Sequence, residues 1–143
     1  MISAAIRGLL FLLVGAGAGY LAYMAGDRQP PVTVVAAWAT NSPVHPGGTL
    51  KIHYRLIRYK FCPYSSTRAI VDSSNTRHIL PVASDVTPFG HLGQDDYNLP
   101  VSVPGDIGKG VARYYSITEF YCNLLQNIWP VVMVNRPIEF IVR

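Results

Sequence analysis

The order of apolar and polar positions divides the chain into two unlike parts at Asp27. From Gly8 to Gly26 (GLLFLLVGAGAGYLAYMAG) nineteen residues carry no charge, bracketed by Arg7 and by Asp27-Arg28. A helix of that length covers about 28 Å, close to the hydrocarbon thickness of a bilayer. Residues 1–26 therefore read as a transmembrane anchor crossing through residues 8–26, with Tyr20 and Tyr23 at its interfacial end. After Asp27 the pattern changes. Gln29-Pro30-Pro31 favours extended backbone, so a linker over 27–31 reaches only about 15 Å. Val32–Ala39 (VTVVAAWA) reads as a first strand, ended by Asn41-Ser42-Pro43, and His45-Pro46-Gly47-Gly48 as a turn. Thr49 to Tyr59 alternates cleanly, with Leu50, Ile52, Tyr54 and Leu56 facing one way and Lys51, His53 and Arg55 the other. Shorter strands are expected around Thr67–Asp72 and Arg77–Val82, joined by Ser73–Thr76 with Asn75 as the turn residue. The periodicity fades from Ala83 to Asn98, which reads as a long loop. Leu99–Val103 resumes a strand, Val111–Cys122 is a long one with apolar residues on both faces and hence central, and Asn123–Trp129 is a connection. Val131–Val134 and Ile138–Val142 close the pattern.

Composition sharpens this picture. The 117 residues after the anchor suffice for one domain over 32–143, and the eleven prolines, twelve glycines and nine tyrosines of the chain fit short strands and turns, an all-β fold. From Asp27 onward eleven Lys and Arg face eight Asp and Glu. That surplus of three suits an anionic neighbour but falls far short of a nucleic-acid binder, so no nucleic-acid partner is expected. Arg7 followed by Ala16-Gly17-Ala18 also fits a cleaved signal peptide. Cutting there would leave an apolar segment of about seven residues before the site and a YLAYMAG stump after it, so an uncleaved signal-anchor is the expectation. Arg7 favours an N-terminus in the cytoplasm and a C-terminal domain in the periplasm or outside. Gly15 and Gly19 form a G-x-x-x-G face through which two such helices can pack into a homo-oligomer.

Seven or eight short strands in about 110 residues suggest a β-sandwich. HPGGTLKIHYRL resembles the turn into the second strand of bacterial and viral immunoglobulin-like modules, and PGDIGKGVARYYSITEFYC resembles the entry into their penultimate strand. Together with the apolar N-terminus and the late Cys-Asn, the pattern is similar to small membrane-anchored proteins of tailed bacteriophages and bacteria. Two departures from antibody-type domains stand out: no Trp lies between the cysteines, and the residue two before Cys122 is Phe120. The resemblance implies that the ends of the second and penultimate strands, in opposite sheets, meet at one pole. Cys62 and Cys122 then form a disulfide, which requires an oxidising compartment; two buried free thiols are the alternative.

Candidate chemistry is sparse. Lys51, His53 and Arg55 share one strand face, followed by Arg58, Lys60, Arg68 and Arg77, a stripe that can meet an anionic surface or acidic partner, or simply keep an exposed face soluble. Gly105–Gly110 lacks the spacing of a phosphate loop. The four histidines lack metal-ligand spacing, and no cofactor, metal or catalytic residue is assigned. Leu124, Leu125, Ile128 and Trp129 make an apolar connection expected to cover the pole of the core, with burial in a membrane interface as the alternative. The expected function is a non-catalytic, membrane-anchored module that binds or positions a protein or envelope partner through loops distal to the anchor. A secreted or virion structural protein is the alternative, and a small hydrolase a third.

Overall fold

The structure, a computed structural model, describes residues 2–85 and 90–143. Among these, a helix α1 (Ile2–Gly26) precedes eight strands: β1 (Val32–Ala39), β2 (Thr49–Arg58), β3 (Tyr64–Val71), β4 (Arg77–Asp85), β5 (Gly93–Ser102), β6 (Gly110–Phe120), β7 (Val131–Val134) and β8 (Ile138–Val142). A 3₁₀ turn, Leu124–Asn127, follows β6. Within α1, Ile6–Gly26 is long and apolar enough to cross a membrane by length and composition. From Ile6 on, its large side chains are exposed apart from Met24, which is buried where the helix meets the 3₁₀ turn.

The strands form two antiparallel sheets, in the orders β1-β2-β5 and β4-β3-β6-β7, with β8 also on β6. As expected, β6 is central. It pairs with β3 along one side, while β7 and β8 share the other, meeting residues 117–120 and 110–114 respectively. Between them the chain leaves the ladder at Asn135, whose side-chain amide donates to Ser116 Oγ at 2.9 Å. Alternation sets the inner faces: Leu50, Ile52, Tyr54 and Leu56 of β2 oppose Ala112, Tyr114 and Phe120 of β6, all buried. Two apolar clusters result, one around Leu50, Ile70, Val101 and Phe140, the other around Val32, Leu56, Cys62 and Val131.

The expected loop from Ala83 to Asn98 is shorter than its composition suggested. β4 runs on to Asp85 and β5 starts at Gly93, pairing with all of β2 from Arg58↔Gly93 to Thr49↔Ser102. Asp95-Asp96 hides that strand, because Asp95 is an inward position filled by a charge. Residues 86–89 of that loop lie outside the described residues. Asn75 takes the left-handed conformation at φ 64°, as a turn residue can.

β2 and β6 define two ends of the β region. Both start at one end, beside Gly48 and at Gly110. Both finish at the other, where Arg58 pairs with Val32 at the start of β1 and Phe120 leads to Cys122. The second end receives α1.

Candidate functional site

The helix-proximal end is built around residue 27. Asp27 accepts from Lys60 Nζ at 2.6 and 2.8 Å. Its own carbonyl accepts from Gln126 Nε2 at 2.7 Å, and Asn123 Nδ2 reaches the Met24 carbonyl at 3.3 Å. Arg28 donates to the carbonyls of Trp129 (2.6 Å) and Pro130 (2.9 Å), its guanidinium 4.0 Å from the centre of the Trp129 ring. Gln126 is the residue that sequence reasoning missed. Only 1 % exposed, it also accepts from the Cys122 backbone N–H at 2.7 Å, so one amide joins the helix end to the disulfide. A partial signal was there: Gln126 stands inside the apolar run LLQNIW, three residues after Asn123, whose side chain caps the turn by accepting from the Gln126 N–H.

Cys62 and Cys122 are bonded, with Cα atoms 4.7 Å apart. The bond lies at the end of the β region where both β2 and β6 finish. The chain has already crossed to the second sheet by Pro63, whose carbonyl accepts from the Tyr121 N–H, and Tyr64 pairs with Phe120. Cys62–Cys122 therefore continues the β3–β6 register within one sheet. It does not staple two sheets together.

The apolar connection does not cover the core. Leu124, Ile128 and Trp129 are 74 %, 86 % and 58 % exposed and Leu125 is half-buried, because the capped turn gives the fully inward place to Gln126. Tyr59 and Phe61 are also exposed, next to Lys60, whose N–H shares the Pro31 carbonyl with that of Tyr59.

The basic stripe is divided by the structure. β5 runs beside β2, so Arg55 faces Asp96 and donates to it at 3.1 Å, while His53 meets Asp96 at 3.3 Å and Asn98 at 3.0 Å. Arg55, followed by His53, holds the Asp96 carboxyl below the usual carboxylate range. His53 meets Trp38 across the strand pair, 4.6 Å between ring centres with the rings tilted by 43°. Lys60 is engaged by Asp27. Arg58 is not part of any surface: it falls on the inner parity of β2, is buried, and lies 3.7 Å from buried Asp95. Arg68 donates to the Pro81 carbonyl. Lys51 stays exposed.

At the far end, buried Asp72 gathers three segments. It accepts from the backbone N–H of Gly108 (3.0 Å), the hydroxyl of Ser74 (2.8 Å) and the N–H groups of Ser74 and Thr76, with His78 Nε2 at 3.2 Å. The Gly108 bond first, then that of Ser74, hold its carboxyl well below the usual carboxylate range. The turn at 45–48 joins through Gly47 N–H to the Pro104 carbonyl and Val103 N–H to the Gly48 carbonyl. A serine, a histidine and an aspartate meet here, but His78 turns Nε2 to Asp72 and Nδ1 to Asp106 (3.7 Å). Neither ring nitrogen faces a serine hydroxyl, as a base in a nucleophilic triad would.

Between the two apolar clusters lies a cavity of about 130 Å³, lined in part by Tyr54, Tyr97, Tyr114, Ser66, Ser116 and Thr118. Burial pushes the phenols of Tyr54, Tyr97 and Tyr114 up, so they stay neutral near pH 7 and offer hydroxyls rather than charge.

Neither a protein-family model nor a curated protein matches the chain. Among solved structures it is similar to the Pseudomonas fluorescens alkylpurine DNA glycosylase AlkC bound to DNA containing an abasic site analog, at 15 % identity and a TM-score of 0.46. That likeness covers 86 % of this chain and 33 % of the glycosylase. The chain thus spans about a third of that protein's length, and a similarity at this level carries no argument about fold or chemistry.

Proposed function

We propose that the protein is a non-catalytic, membrane-anchored immunoglobulin-like module of a bacterium or its phage. In this reading residues 8–26 cross the cytoplasmic membrane, and the domain over 32–143 lies in the periplasm or outside, where it binds or positions a protein or envelope partner. The observation that carries it is the grip on Asp27. A helix fit to span is held by Lys60, Gln126 and Arg28 against one end of the β region, leaving the other end, with its three joined turns, free to be met. The two-sheet order supports an Ig-like sandwich of a variant kind, since β4 lies beside β3 and the disulfide stays within one sheet, unlike the constant-type arrangement. Gly15 and Gly19 have nothing within 4 Å of an added Cβ, which leaves that face open to a second copy of the helix.

The test is a photo-crosslinker at Asp106, in the turn that contacts Asp72 through Gly108, in cells expressing the full chain. Capture of a discrete partner, together with a reporter after Arg143 that is active only outside the cytoplasm, is the expected result. Activity of a cytoplasm-only reporter overturns the orientation. Release of the protein by alkaline carbonate, or loss of the N-terminus by intact mass, favours the secreted or virion alternative.

A further inference from the structure

We propose that the exposed apolar side chains around the helix exit form a rim that lies in the headgroup layer of the bilayer α1 crosses. The rim comprises Leu124, Ile128 and Trp129 on one side and Tyr59 and Phe61 on the other. It rests on the reading of α1 as a transmembrane helix, and commits to one occupant, the lipid surface itself.

Position is the first argument. The headgroup layer is roughly 5–8 Å deep on each side of the hydrocarbon. Arg28 lies two residues beyond the last residue of α1, and it binds the Trp129 carbonyl at 2.6 Å while its guanidinium covers the indole at 4.0 Å. Trp129 and its neighbour Ile128 are therefore fixed at the depth where the helix leaves the hydrocarbon. Lys60, between Tyr59 and Phe61, is tied to Asp27 and fixes that side at the same level. Two segments more than sixty residues apart in sequence thus bring their exposed apolar groups to one helix end.

Chemistry is the second argument. Trp and Tyr rings beside Arg and Lys, with aliphatic side chains among them, are what an interface favours, since each ring has an apolar body and a polar edge. A surface that met only water would have no reason to expose Leu124 and Ile128 at 74 % and 86 % while burying an amide, Gln126, between them. The inversion is sensible where the outside is lipid and the inside must satisfy backbone groups of the helix end. The cations do not dominate: Lys60 is matched by Asp27, so the interaction is apolar first and does not need an anionic lipid.

The chain carries two tryptophans, Trp38 and Trp129, which makes the test direct. Trp38 lies six residues along β1 from Val32, about 20 Å up the strand and beyond the headgroups. Full-length Trp38→Phe protein is reconstituted into phosphatidylcholine vesicles containing lipid brominated near the top of the acyl chain. Trp129 should emit to the blue of its position in detergent-free buffer with urea, and lose most of its fluorescence to the bromines. The reciprocal Trp129→Phe protein, reporting Trp38, should be unquenched in the same vesicles. Adding Leu124→Ser and Ile128→Ser to the Trp38→Phe protein should reduce the quenching of Trp129, and high salt should leave it unchanged. Protein that floats with the vesicles while Trp129 stays unquenched overturns the rim and leaves the spanning helix standing. Protection of Trp129 from aqueous iodide that rises with protein concentration, without quenching by bromolipid, assigns the rim to a second copy and likewise overturns it. Protein that fails to float overturns the spanning reading and the rim with it.

Discussion

The two ends of the β region are closed by different means. At the helix-proximal end a disulfide joins the chain just before β3 to the chain just after β6, a buried amide holds the Asp27 carbonyl and the Cys122 N–H, and Leu124, Ile128 and Trp129 are turned outward beside a buried cluster of Val32, Leu56, Phe120 and Val131. At the far end no covalent bond intervenes. A carboxylate, Asp72, draws N–H and hydroxyl groups from its own turn and from Gly108, and the apolar side chains are turned in. One end is fastened by a covalent bond and a buried amide; the other is ordered by polar groups that a change of pH can disturb. The contrast teaches that covalent and amide fastening is concentrated where the helix joins, and carboxylate-centred hydrogen bonding at the other end.

Removing the disulfide should weaken the first end most. Closing a loop with a sequence separation of 60 stabilises by roughly 4 kcal/mol in the chain-entropy view. Cys62→Ala with Cys122→Ala should lower the urea midpoint accordingly, and a loss under a quarter of that would mean that the β3–β6 ladder alone suffices. Gln126→Ala should cost about 1–3 kcal/mol, because the Cys122 N–H and the Asp27 carbonyl both lose their partner. It should also speed amide exchange at Asp27 and Arg28 without altering exchange at Gly108. If the helix end stays protected, Lys60 and Arg28 are the real clamp.

The far end should respond to acid. A carboxyl held below its unfolded value of about 3.9 adds stability that is complete above that pH and is lost as pH falls through and below it. Asp72→Asn should therefore flatten the acid limb of a stability-versus-pH curve and loosen the 73–76 and 104–110 turns. An unchanged acid limb would place the sensitivity elsewhere. Smallest of all should be Asp96→Asn on the exposed face of β5, where the pair with Arg55 is open to water. A thermal midpoint within error of the parent is expected, and a clear drop would show that the stripe is structural.

Much of the fold was legible. β1, β7 and β8 have the bounds expected for them, and β2 ends one residue early. β5 was not legible from Gly93, because its alternation runs through Asp95, an inward charge acceptable only beside Arg58 on another strand. The same missing strand explains the stripe: with Asp96 assigned to a loop, nothing in the sequence put an acid opposite Arg55. The pattern puts Asp72 at the end of a strand, one residue past the end of β3, and Gly108 and His78 reach it only through the fold. Leu124 and Ile128 misled for a simple reason. Apolar residues in a connection are usually covers for a core, and whether they point in or out depended on Gln126 taking the inward place.

The grip on residue 27 turns the strand length into a fixed height. Ten residues of β2 at about 3.3 Å each separate the two ends by roughly 30 Å. A free linker of five residues would let the domain tilt and sample a range of levels, but a residue clamped through both its carboxylate and its carbonyl leaves little slack. In the proposed reading, with α1 in a bilayer and β2 along its normal, the 45–48, 73–76 and 104–110 turns work like the tip of a post. A molecule lying flat on the same bilayer is below their reach, and one that rises about 30 Å, or sits on a surface facing across a gap of that width, meets them directly.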